Sequence, residues 1–325
     1  MVSWRHADGG ARGTDILELP DARPRPVTRA LLPLALMIGC LLAPQARTQA
    51  MQVPDSGNQA KGLPLWEIGA GFGGAYTPDY PGAVSETARG LPLPVVIYRG
   101  DFLRIGDGSV ASGRLFQDDR YQLDISLNGS FDAESDDVGA RAGMPDLGFV
   151  FEVGPELEVQ LVQSSDGMRR LKFELPVRAA FSFDDDGLRD RGFVTSPELQ
   201  YEHEFADRRF EWSLSVAPSF ATESLQSYFF DVRPEFATET RAAFEASGGY
   251  LQTRIGLGLQ WRGDGRFAAA GVSYSLFNGS ANRDSPLFEQ DYGISIGVIF
   301  VQRLWQSKKR VKPRQTTKPS KTQDR

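Results

Sequence analysis

The residues of this sequence that could do chemistry are one histidine and a set of regularly spaced charges. Past residue 50 the only histidine is His203, in Tyr201-Glu202-His203-Glu204-Phe205. A hydrolase built on a histidine base needs that imidazole beside a Ser or Asp. On a strand, however, His203 shares a face with the apolar Leu199 and Tyr201, opposite to the acids around it. Glu156 with Glu158 and Glu198 with Glu202 are same-face carboxylate pairs. Facing Lys172, Arg178, Arg254 and Arg262, with Glu174 among them, they read as an ion-pair network rather than an acid–base couple. One histidine with scattered acids does not compose a metal site. Asp184-Asp185-Asp186-Gly187 lacks the alternating ligands and closing Glu of a calcium loop. Cys40, the only cysteine, lies before residue 50, so no disulfide, thiolate ligand or cysteine nucleophile is available to the remainder. The residues imply no catalytic site and no cofactor.

What must position those charges is a series of alternating runs. In the stretch from Gly248 to Trp305, Leu251, Thr253, Ile255, Leu257, Leu259 and Trp261 occupy one strand face. Gln252, Arg254, Gly256, Gly258, Gln260 and Arg262 occupy the other. Tyr292, Ile294, Ile296, Val298 and Phe300 repeat the pattern, with an aromatic at each end of the apolar face. Soluble strands are mostly five or six residues long. Runs of about ten or more, with small and charged residues on the second face and aromatics bounding the first, point to a transmembrane β-barrel of the outer-membrane type. Trp66, Ile68, Ala70, Phe72, Gly74 and Tyr76 would face outward in the first strand, over an inward glycine lane that leaves room for side chains from across the lumen.

Twelve strands are expected, at 66–76, 91–99, 101–116, 121–131, 146–153, 156–163, 169–183, 192–203, 209–220, 249–262, 266–279 and 290–302, with ten as the alternative. Pro92 and Pro94 predict a bulge or a late start in the second, because proline cannot donate to a ladder. Gly154-Pro155 reads as a tight turn between two short strands. An even count makes a closed antiparallel barrel with both termini periplasmic. The 132–145 loop then falls on the wrong side.

The chain has 325 residues, 34 of them Gly and 21 Phe, with negative mean hydropathy. Its one continuous apolar run, Ala30 to Ala43, follows Arg23, Arg25 and Arg29 and precedes Thr48-Gln49-Ala50. That is the layout of a secretory signal with a long n-region. Residues 1–50 are therefore expected to be a signal peptide, 51–65 a periplasmic leader, 66–305 the barrel and 306–325 a disordered basic tail. Removing the +2 of residues 1–50 and the +7 of residues 306–325 from the formal −6 leaves −15 for the rest. Such an acidic body excludes nucleic acid as the main partner, leaving outer-membrane lipid as the surrounding medium.

Four stretches carry a resemblance to a known family. They are WEIGAGFGGAYTPDYPG, followed by LPLPVVIYRGDFLRIG, then QSYFFDVRP and GVSYSLFNGSANRDSPLFEQDYGISIGVIF. In this order they resemble the MipA/OmpV family (MltA-interacting protein) of Gram-negative outer-membrane proteins. The resemblance implies an outer-membrane barrel and a scaffold joining a lytic transglycosylase to a peptidoglycan synthase, with a peptidoglycan hydrolase, synthase or peptidoglycan itself as partner. It also implies that Tyr292, Ile294, Ile296, Val298 and Phe300 form the terminal strand read by the insertion machinery, although here the chain continues beyond Phe300. The residues themselves leave open a second function, a narrow channel whose charged lumen selects small solutes, and, less favoured, a barrel hydrolase.

Overall fold

The computed structural model describes residues 63–99, 120–130, 139–184 and 187–311, with the strand fragments Arg104–Ile105, Ala111–Ser112 and Phe116–Gln117. In chain order the strands are β1 (Leu63–Pro64), β2 (Trp66–Pro78), β3 (Glu86–Arg99), the fragments β4, β5 and β6, β7 (Tyr121–Ser130), β8 (Phe149–Gln163) and β9 (Arg169–Asp184). There follow β10 (Gly187–Thr195), β11 (Glu198–Glu204), β12 (Phe210–Ala221), helix α1 (Glu223–Phe230), β13 (Gly249–Gly263), β14 (Arg266–Leu276), β15 (Tyr292–Gln306) and β16 (Arg310–Val311). The signal and leader segments lie outside the described residues.

One antiparallel sheet holds fourteen strands in the order β5-β4-β3-β2-β15-β14-β13-β12-β10-β9-β8-β7-β6, with β11 also between β12 and β9. Its first and last long strands are paired, Glu67 with Gln306 through Tyr76 with Ile296. Its two edges, β5 and β6, are separated by only residues 113–115. Four Cα steps reach at most about 15 Å, so the sheet curls until its edges come near one another. Whether those edges hydrogen-bond falls outside the described residues. The end holding Trp66 and Gln306 also carries the short turns 164–168, 205–209 and 264–265. The opposite end carries 79–85, 139–148, 222–248 and 277–291.

Alternation decides which face the curl encloses. Along β9 the even residues Lys172, Glu174, Pro176, Arg178, Ala180 and Ser182 are buried, while Phe183 on the other face is 54 % exposed. Phe72, Leu257, Ile296 and Phe300 are likewise exposed. Burying charge while exposing aromatic and aliphatic side chains suits a protein whose surroundings are hydrocarbon. On β12 the outward face runs from Phe210 to Phe220. Ten residues at ~3.3 Å, tilted ~40°, span about 25 Å along the normal, the height of an outer-membrane apolar band. Aromatics mark its borders: Phe220 meets Tyr250 and Tyr274 stacks on Tyr292 at the loop end, while Tyr201 and His203 lie against Trp212 at the terminal end.

Several expectations are corrected. Residues 146–153 and 156–163 are not two strands but parts of one, β8, which keeps a constant register with β7 through Gly154-Pro155. Gly154 lies within the strand rather than in a turn, and a Cβ there would run into the Val177 carbonyl oxygen of β9. The stretch expected as one strand at 101–116 holds three fragments. With these two changes residues 139–148 fall at the end where the other long loops lie. Pro92 and Pro94 cause neither bulge nor late start, because β3 pairs with β2 without a shift from Glu86 to Tyr98. That unbroken ladder requires the odd residues of β3 to carry its hydrogen bonds, so the missing proline donors face the other edge. The ladder also runs past residue 305: Ser307 N–H donates to Trp66 O at 2.8 Å, and β16 pairs with β1.

The glycine lane has a different cause from the one expected. A Cβ on Gly71 would meet the Phe300 carbonyl oxygen and lie 3.0 Å from the Val301 side chain, and one on Gly69 would lie 2.8 Å from the Gln302 carbonyl oxygen. The lane lets the first and last long strands approach, not side chains from across the interior. Gly71→Val is expected to abolish the heat-modifiable folded band on unboiled gels. A normal band in that variant would refute the close approach.

Candidate functional site

The even residues of β8, β9, β11 and β13 and the odd residues of β12 build one interior wall, and their types make it ionic. Glu158, Lys172, Glu202, Arg170, Glu211 and Arg262 form a chain of alternating sign across five strands. The successive distances are 3.6, 3.1, 2.8, 2.9 and 3.6 Å. Lys172, Glu202 and Glu211 are almost inaccessible. Charges taken out of water at this depth persist only with partners, and alternation supplies one on each side. Arg262 also donates to Gln260 at 2.9 Å.

Nearer the loop end Arg178 reaches Glu156 at 3.0 Å and Glu152 at 3.6 Å, and its Nε donates to Ser126. Glu174 stands opposite both Glu158 and Glu198 in the register. Arg254 lies within the electrostatic reach of Glu198 and Glu152. Thus Glu156, Glu158, Lys172, Glu174, Arg178, Glu198, Glu202, Arg254 and Arg262 all face the interior in two adjoining clusters. Arg170 and Glu211 join them unforeseen, though their parity with Lys172 and Ser213 could have identified them. A separate pair, Arg303 with Glu67 at 3.0 Å, ties β15 to β2. His203 points to the other face, stacked on Phe205.

The facing wall is apolar. Leu93, Val95 and Ile97 of β3, Phe267 of β14 and Ile299 and Val301 of β15 pack as one buried cluster. Phe267 is 1 % and Val301 0 % exposed, and across from them Glu174 is 1 % exposed. The terminal half of the interior is therefore filled from both sides.

The loop end is closed by a second apolar core. Within 222–248, α1 has Thr222 in extended geometry at its N-cap and Glu223 in its first turn, and Asp231 ends it ahead of Pro234. Its buried Leu225, Phe229 and Phe230 pack with Tyr80, Leu147, Val232, Leu251 and Leu287. Buried amides fasten this cap: Gln226 Nε2 donates to Gly249 O at 2.9 Å, and Asn282 Nδ2 donates to Gln226 Oε1 at 2.6 Å and Ser247 O at 2.8 Å. Arg241 donates to Ala140 O and Ala142 O, and Arg191 lies 3.9 Å over the Tyr228 ring. Burial, with Glu289 nearby, raises the Tyr80 phenol's pKa, and burial lowers that of Arg141. The stretch between the strands expected at 209–220 and 249–262 is thus a folded lid.

Between lid and filled half lies a cavity of about 250 Å³, lined by Asn128, Glu152, Gln252, Arg254 and serines of β12, β14 and β15.

An inverted sheet of this kind, apolar outside and ionic within, defines an outer-membrane β-barrel protein. More particularly, the chain belongs to the family described as MltA-interacting protein MipA, whose family model matches residues 70–303. Among solved structures it is similar to the COG4313 outer membrane channel from Pseudomonas putida F1, at 12 % identity and a TM-score of 0.43 over 77 % of this chain and 100 % of that one. It is also similar to the CymD monoaromatic hydrocarbon channel, at 12 % identity and a TM-score of 0.37 over 80 % and 93 %. The translocator domain of autotransporter NalP from Neisseria meningitidis gives 12 % identity and a TM-score of 0.35 over 74 % and 88 %. No curated protein sequence matches the chain.

Proposed function

We propose that this outer-membrane protein is a non-conducting platform, without chemistry of its own, that holds peptidoglycan-remodelling enzymes beneath the outer membrane. The observation that carries this reading is the filled terminal half. Lys172, Glu174, Glu198 and Glu202 from one wall and Ile97, Phe267 and Val301 from the other are each at most 2 % exposed. Residues lining an aqueous pore would keep contact with water. With the terminal end in the periplasm, the platform presents the β1–β16 ribbon and the cationic residues from Lys308 onward to a hydrolase or synthase, or to the carboxylates of peptidoglycan. The outward face Tyr292, Ile294, Ile296, Val298 and Phe300 serves as the insertion signal in this reading.

Two measurements test it. In planar bilayers the purified full chain is expected to give no discrete conductance steps; reproducible steps would replace the platform with the narrow channel. Pull-down from envelope extracts is expected to recover a peptidoglycan hydrolase or synthase, more weakly when residues 312–325 are removed. Recovery of neither would sink the platform reading.

A further inference from the structure

We infer that the cavity under the lid is a binding site for a small, uncharged, polyhydroxylated solute of about the size of one monosaccharide. This goes beyond the platform reading and does not depend on it. The space exists because the inward residues of β14 and β15 here are small: Gly271, Ser273 and Ser275 stand opposite Gly297, Ser295 and Gly293. Lower on the same strands Phe267 and Val301 fill the interior, so the widening is local.

Its lining is chemically specific. Gln252 is 8 % and Ser273 4 % exposed, and both line the cavity. Among the described residues neither side chain makes a hydrogen bond, nor do the hydroxyls of Ser275 and Ser295. Gln252 and Ser273 are buried and Ser275 and Ser295 half-buried, and with no partner in the wall these amide and hydroxyl groups are left to bond a molecule inside the cavity. Charge does not select the partner. Glu152 is already engaged by Asn128 Nδ2 at 3.0 Å and Arg178 at 3.6 Å, and Arg254 lies in the field of Glu152 and Glu198. Asp79, the third charged group of the lining, accepts from Thr87 Oγ1 at 2.6 Å and pairs with Arg89 at 3.6 Å, and the remaining donors and acceptors are neutral and of both kinds, as hydroxyl groups require. Phe229 and Phe277 line the same cavity and give it an apolar side. A few placed polar groups with an apolar side are the usual composition of a small-ligand site.

The probe is D-glucose, titrated calorimetrically into the full-length protein in detergent micelles, with glycine and acetate as zwitterionic and anionic comparators. Saturable glucose binding is expected, with no comparable binding of the other two. Ser273→Leu, which fills the cavity, should abolish it. Gln252→Leu, which keeps the volume and removes the amide, should weaken it about 2- to 10-fold, the effect of one hydrogen bond. Both variants are judged only if their heat-modifiable band is native, so that the second stands if the first fails to fold. The inference is overturned if glucose shows no saturable binding, if glycine or acetate binds more tightly, or if natively folded Ser273→Leu binds as well as the parent.

Discussion

Glu202→Gln is expected to lower the unfolding free energy by about 3–5 kcal/mol, the usual result of removing one partner from a buried ion pair. Glu202 is the joint of the ionic wall, with Arg170 at 2.8 Å and Lys172 at 3.1 Å. The amide keeps the shape and some hydrogen bonding, but it leaves three cations, Lys172, Arg170 and Arg262, with two carboxylates, Glu158 and Glu211. The expected readout is a lower urea midpoint with an unchanged slope. Lys172→Met in the same chain should recover much of the loss. The double variant removes one charge of each sign, while Arg170 keeps Glu211 at 2.9 Å. Lys172→Met alone should be milder, because Glu202 keeps Arg170. This cycle also bears on function. In a water-filled lumen the same pairs would be screened and worth at most about 1 kcal/mol. A loss that small, with no rescue, would mean that the interior is wet and would favour the channel.

The ionic wall was legible in the sequence because a period of two is unforgiving. Once Leu171, Phe173 and Leu175 are assigned to the outside, Lys172 and Glu174 have nowhere to point but in. The partners were less legible, since a pair such as Arg170 with Glu211 depends on strand order and stagger that one sequence does not state. Glycine and proline misled for a related reason. Gly154-Pro155 has the composition of a turn, and only the ladder with β7 shows that the strand continues. Pro92 and Pro94 look disruptive until their shared parity places both missing donors on one edge. The lid was the least legible part. Its amphipathic signal spans eight residues, and its fasteners, Gln226 and Asn282, are far apart in the chain and carry no local pattern.

Asn282→Leu is expected to release the lid while leaving the sheet intact. Asn282 is fully buried, donates to Gln226 Oε1 and Ser247 O, and accepts from Ser247 N–H at 2.8 Å. Leucine of similar size leaves those three groups buried without partners, at about 1–3 kcal/mol each. Only lid packing opposes that penalty, because the sheet's own ladders do not pass through Asn282. Limited proteolysis within 222–248 should therefore accelerate at least tenfold, a change of about 1.4 kcal/mol in local opening being enough, with the heat-modifiable band unchanged. Equal proteolysis rates would show that the lid is held by its apolar core alone. The same variant separates two ways of being closed. If the lid were the only barrier, releasing it would produce conductance. Beneath it, however, Lys172, Glu174 and Glu202 of one wall and Ile97, Phe267 and Val301 of the other are still almost inaccessible. An opened lid in series with a filled half should remain silent in a bilayer, and current through Asn282→Leu would locate the closure in the lid and turn the platform into a gated path.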